Sequence, residues 1–190
     1  DEASVIEAYN YPLVQRKLYN ESGGGKGAFV VATNASWGID GGDPTTIPIW
    51  CQLYDTLGHY GILNCGATAN NNVDIDVVGD IPTACSSPYM VSVTATNTQD
   101  DRTFSAYGAI NVDLGAPGES VWTTSGASGY TSTSGTSFAS PLTAGAIALL
   151  YSVPCPSLMS IVQSSPQTGA DLVLEALYDG VDQVEELQGE

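Results

Sequence analysis

The run SGTSFASPLTAGAIALLYS, residues 134–152, passes from hydroxyl-rich to apolar within a few residues and carries Pro141 just inside its apolar part. Its small residues, Ala139, Ala144, Gly145, Ala146 and Ala148, allow close approach on several sides, as a helix buried on most of its faces requires. The Ser/Thr residues before it are natural N-cap candidates. Pro141 has no N–H, so the carbonyl four residues earlier, that of Ser137, loses its helical partner. Ser137 stands at or beside the helix N-terminus, where unpaired N–H groups and the macrodipole favour developing negative charge. The segment therefore reads either as a capped core helix or as a helix that presents a serine nucleophile.

The flanking pattern is that of an α/β domain. Residues 2–20 read as helix, kinked or split around Pro12. The apolar runs 28–33, 61–67, 90–96 and 110–114 read as strands, and 46–59 and the stretch near 170–180 as helices. Strands apolar throughout and separated by helices predict a three-layer fold, a mainly parallel sheet with helices on both faces. In such sheets sites form at the carboxyl ends of strands, which directs attention to the loops after Thr33 and Ala67. The GGGKG stretch at 23–27 is a turn and not a phosphate loop, because Asn20 and Gly27 stand where a Walker motif needs Gly and Ser/Thr.

Composition narrows the function. The 190 residues suffice for one sizeable core, and 43% hydrophobic against 13% charged residues describes a globular chain. Only Arg16, Lys17, Lys26 and Arg102 oppose 21 acids, a net charge of −17, which argues against a nucleic-acid partner. No apolar run approaches the ~20 residues of a spanning helix, so no membrane partner is expected. The first residues, DEASVIEAYN, lack the basic and apolar regions of a signal peptide. Cys51, Cys65, Cys85 and Cys155 have no C-x-x-C pair and only one histidine, His59, to join them, which disfavours zinc. Disulfides and buried thiols are both compatible with this spacing.

The spelling of the opening segment is more specific than its physics. Gly135-Thr136-Ser137-Phe138-Ala139-Ser140-Pro141, followed by Ala144-Gly145, resembles the nucleophile motif of the subtilisin-like serine proteases, the subtilases. Other segments agree in family order. Residues 30–38, VVATNASWG, resemble the strand and Ser-x-Gly segment that lines the substrate cleft, and 64–72, NCGATANNN, resembles the strand that leads to the oxyanion asparagine. Residues 104–108, FSAYG, and 114–124, LGAPGESVWTT, match structural turns of the family. The resemblance implies a serine-type endopeptidase of subtilisin-like fold that forms an acyl-enzyme on Ser137. It implies that Asn70, 67 positions earlier, donates to the oxyanion, with Asn71 or Asn72 chosen by a shifted alignment. It further implies that Ser36, Trp37 and Gly38 pair with a peptide backbone, and that Ala67, Thr68 and Ala69 wall the primary specificity pocket. The chemistry requires no cofactor, and a structural calcium ion is compatible with the family.

The resemblance also implies what to look for elsewhere. A serine hydroxyl needs a base, and subtilases place an Asp and a His-Gly-x-His-like segment before the motifs quoted above. Neither occurs in these residues. His59 follows the cleft segment in the order of the chain and stands at a predicted helix end, so it reads as a surface residue favoured by the dipole. The acids of 73–80, Asp74, Asp76 and Asp80, lack the spacing of an EF-hand and read as a solvated loop. Residues 1–190 are accordingly expected to be the C-terminal portion of one catalytic domain, incomplete on its N-terminal side. The missing N-terminal part and a protein or peptide substrate are the expected partners, secretion the expected location, and little activity is expected from the chain alone. Two rivals are a non-catalytic subtilase-like protein that binds peptides or a partner, and an unrelated hydrolase that pairs Ser137 with His59.

Overall fold

In chain order, the computed structural model of the protein, which describes residues 1–126, 128–184 and 187, opens with helix α1 (Glu2–Glu21). Asp1 caps it through a bond from Ser4 N, and it runs unbroken through Pro12, contrary to the expected split. The carbonyl that Pro12 frees belongs to exposed Ala8, where water can satisfy it. Then follow β1 (Ala32–Ala35), β2 (Ile39–Asp40), a 3-10 turn (Pro44–Thr46), α2 (Pro48–His59) and β3 (Leu63–Ala67). The middle of the chain forms α3 (Ile75–Val78), β4 (Asp80–Ile81), β5 (Met90–Thr96) and β6 (Leu114–Pro117). It ends in β7 (Val121–Ser125), β8 (Gly129–Thr133), α4 (Thr136–Ser152), α5 (Pro156–Ser164) and α6 (Pro166–Asp179).

The central sheet is parallel in the order β1-β3-β5-β6, with Ala32 opposite Leu63, Asn64 opposite Met90 and Val93 opposite Leu114. β3 and β5 are buried at every position, the condition that makes strands covered on both faces read as apolar runs. One face packs Leu63, Cys65, Val91 and Val93 against Ala139, Ile147 and Tyr151 of α4, Val162 of α5 and Val173 of α6. The other packs Ile62, Ile81 and Met90 against Tyr9 of α1 and Trp50, Tyr54 and Leu57 of α2. The three-layer α/β expectation therefore holds. Cys51 of α2 is disulfide-bonded to Cys85, and Cys65 and Cys155 are free thiols.

Three strand expectations shift, that of 61–67 least, since β3 begins at Leu63. The ladder of β1 begins at Ala32 and not Ala28, although the Val31 carbonyl already accepts from Leu63 N. Of 110–114 only Leu114 lies in a strand, and Ile110 is 82% exposed. The preceding turn is held by Asp76, whose carboxylate accepts from the backbone of Ile110 and Asn111 at 2.8 and 2.9 Å.

Candidate active site

The first turn of α4 sits against the loops that leave the carboxyl ends of β1 and β3. Gly135 caps the helix with no side-chain bond, so the expected Ser/Thr cap is replaced by a partner from across the sheet. Asn70, just past β3, accepts at its Oδ1 from the backbone N–H of Thr136 at 2.9 Å. The Thr136 hydroxyl donates to the Thr68 carbonyl at 2.5 Å. A backbone N–H must face the oxygen of the amide, which fixes the orientation of the Asn70 side chain and leaves its Nδ2 as a donor. Among the described residues neither Asn70 Nδ2 nor the Ser137 N–H has a protein acceptor. Of the three candidate asparagines, Asn70 is the one bonded to this turn, whereas the Asn72 amide oxygen accepts from Arg102 at 2.6 Å.

Ser137 is half-buried, and its hydroxyl donates to the Ser36 carbonyl at 3.4 Å. The reverse bond is shorter. The Ser36 hydroxyl donates at 2.9 Å to the carbonyl of Ser137, the group that Pro141 deprives of its helical donor. Beyond Ser36, no protein partner is bonded to the backbone of Trp37 or Gly38 among the described residues, so this short edge keeps its polar groups open. Trp37 is 46% exposed and leans on Trp50 and Tyr9, with ring centroids 5.6 and 6.4 Å away. A Cβ on Gly38 would stand 1.9 Å from the Ile81 carbonyl, so only glycine admits that close approach.

Ala67, Thr68 and Ala69 are buried, and the backbone of the last two is internally satisfied. Thr68 N bonds Val93 O, Ala106 N bonds Ala69 O, and Ala69 N bonds the Asp80 carboxylate at 3.2 Å. Thr68 and Ala69 therefore have no backbone group left without a protein partner. Asp80 departs from the solvated loop expected of it. It is 2% exposed, accepts from Thr83 Oγ1 at 2.5 Å, and faces Asp40 across the β2–β4 ladder. Burial pushes its carboxyl up to about 6. Asp74 caps α3 through Asp76 N, and among the described residues no three His, Cys, Asp or Glu side chains converge on a point that a metal ion would occupy.

His59 ends α2, before β3 begins, and its Nδ1 pairs with Gln167 Oε1 at 3.1 Å. It therefore lies at the amino end of the parallel strands, whereas Ser137 meets the loops at their carboxyl ends. The sheet separates them, and a Ser137–His59 dyad is ruled out.

The chain matches the model of the subtilase family over residues 7–189. It is 32% identical over 121 residues to subtilisin-like protease 2 of Plasmodium falciparum, a match that covers 63% of this chain and 9% of that protein. Among solved structures it is similar to a cold-adapted subtilisin-like serine proteinase, with TM-score 0.65, 23% identity, and coverage of 100% of this chain and 59% of the other. A protease from Pseudoalteromonas arctica gives TM-score 0.61 at 24% identity, covering 80% and 44% of the two chains. The chain thus spans about a tenth of the curated relative and about half of these solved structures. With its Gly-Thr-Ser turn set against the ends of β1 and β3, the chain belongs to the subtilase family.

Proposed function

We propose that this chain carries the nucleophile and oxyanion side of a serine endopeptidase. Ser137 Oγ attacks the scissile carbonyl, giving its proton to a base, and the Ser137 N–H and Asn70 Nδ2 receive the oxyanion. The C–N bond then breaks, the amine leaves with that proton, and the acyl group remains on Ser137. A peptide pairs with the open edge at Ser36, Trp37 and Gly38, and its side chain rests beside Ala67, Thr68 and Ala69. The observation that carries this reading is the bond from Thr136 N–H to Asn70 Oδ1, which ties the amide to the nucleophile turn and leaves its donor free. Hydrogen-bond donors fixed before the reaction cost no reorganisation when charge develops.

The proton of Ser137 must pass to a base, and no histidine of these residues stands near it. The base and its orienting carboxylate are therefore assigned to sequence of the full-length protein outside these 190 residues. Extracellular location fits the Cys51–Cys85 disulfide, since oxidising compartments preserve such bonds. The test is fluorophosphonate labelling of the full-length protein beside its Ser137→Ala variant. Labelling of the wild type alone is the expected result. Equal labelling of both removes Ser137 as the nucleophile, and labelling of neither favours a non-catalytic, peptide-binding protein.

A further inference from the structure

The hydroxyl of Ser140, one turn along α4, is fully buried and donates to Asn34 Oδ1 at 2.7 Å. Asn34 Nδ2 donates to Ser36 Oγ at 2.9 Å, and Ser36 Oγ donates to the Ser137 carbonyl at 2.9 Å. The bonds run in one direction, Ser140 to Asn34 to Ser36 to Ser137. An amide N–H₂ cannot accept, so while Asn34 donates to Ser36 the serine proton must go elsewhere. It goes to the carbonyl freed by Pro141. With the amide of Asn34 turned over, Ser36 would donate to the asparagine oxygen and the Ser137 carbonyl would lose its donor.

We propose that Asn34 is a positioning residue for Ser137, acting through Ser36: it fixes the direction of the Ser36 hydroxyl and so anchors the carbonyl one bond from the Cα that bears the nucleophile. This rests on the reading of Ser137 as nucleophile. Asn34 lies within the cleft-lining segment 30–38, but neither the nucleophile motif nor the oxyanion assignment gives it a role. It is exposed, on a strand with one neighbour in the sheet, where a polar side chain would ordinarily be solvent-facing. Both functional groups of its amide are instead bonded within the site.

The test uses the full-length protein, with kcat and KM on a peptide substrate and the rate of fluorophosphonate labelling. Asn34→Asp keeps the size of the side chain and still accepts from Ser140, but cannot donate to Ser36. Its expected effect is a fall in kcat of about tenfold with KM within about twofold, the order of one lost orienting hydrogen bond. Ser36→Ala should give a similar fall, and the double variant no greater one, because both break the same relay. Adding Pro141→Ala to Ser36→Ala should return part of kcat, since residue 141 then offers a backbone N–H to the Ser137 carbonyl. Wild-type kcat in Asn34→Asp, or losses that multiply in the double variant, overturns the proposal. Should Asn34→Asp fail to fold, the Ser36→Ala and Pro141→Ala pair decides, and absence of recovery counts against it. Failure of the underlying reading looks different: Ser137→Ala would still take the label.

Discussion

Asn70 uses the oxygen of its amide to hold the helix, and in the proposed reaction its Nδ2 donates to the oxyanion. Replacement by alanine removes both roles, whereas Asn70→Asp keeps the acceptor for Thr136 and loses only the donor. In the full-length protein both variants should lower kcat about 10²–10³-fold, the range for one oxyanion donor, with KM little changed. Steady-state kinetics check this, and a rise in KM at constant kcat would assign Asn70 to substrate binding instead. Asn70 was legible in the sequence only through the resemblance, because nothing in ATANNN distinguishes three consecutive asparagines physically. The bond to Thr136 makes that distinction, and it spans 66 positions. Asn34 and Asp80 were not legible at all: Asn34 is completed by Ser140, 106 positions away, and the burial of Asp80 comes from the folded surroundings and not from its neighbours in sequence.

Elements were legible where burial is two-sided. β5 matches its predicted bounds because every position from Met90 to Thr96 is buried and the whole run is apolar or small. The hairpin of β7 and β8 was missed for the opposite reason. Trp122 and Tyr130 are about three-quarters exposed, and without a buried face there is no period-2 pattern to find. β2 and β4 are two residues each, too short for any periodic signal. The disulfide joins helix α2 to the segment after β4 across 34 positions, a pairing that the spacing of four cysteines leaves open. Closing a loop of that length limits the unfolded chain by about 3–4 kcal/mol. The variant Cys51→Ala/Cys85→Ala should lose stability of that order in denaturant titration while its far-ultraviolet dichroism stays native. A loss under about 1 kcal/mol would show that the sheet and α2 hold this region without the bond.

A chain of net charge −17 repels itself, and its stability should respond to pH through that repulsion and through individual carboxylates. Asp80 allows one contribution to be isolated. Burial raises its carboxyl from the ordinary 3.8 to about 6, and the bonds from Thr83 and from the backbone of Ala69 and Ile81 only partly oppose this. The nearby Asp40 acts in the same direction as burial. Between these two values the folded chain binds more protons than the unfolded chain. The contribution of Asp80 to stability is therefore fully present below about 4 and is lost as pH rises through about 6. Asp80→Asn removes the ionisation but retains an oxygen to accept from Thr83 and Ala69. The difference in stability between Asp80→Asn and wild type should then grow in favour of the variant from pH 4 to pH 7 and level off above. Added salt separates the general repulsion from this local effect, because screening acts on exposed charges far more than on a carboxylate with 2% exposure. Thermal midpoints of both proteins across this range, at low and at high salt, decide the matter. Parallel curves at high salt would mean that Asp80 is ionised at no cost, with its hydrogen bonds outweighing burial.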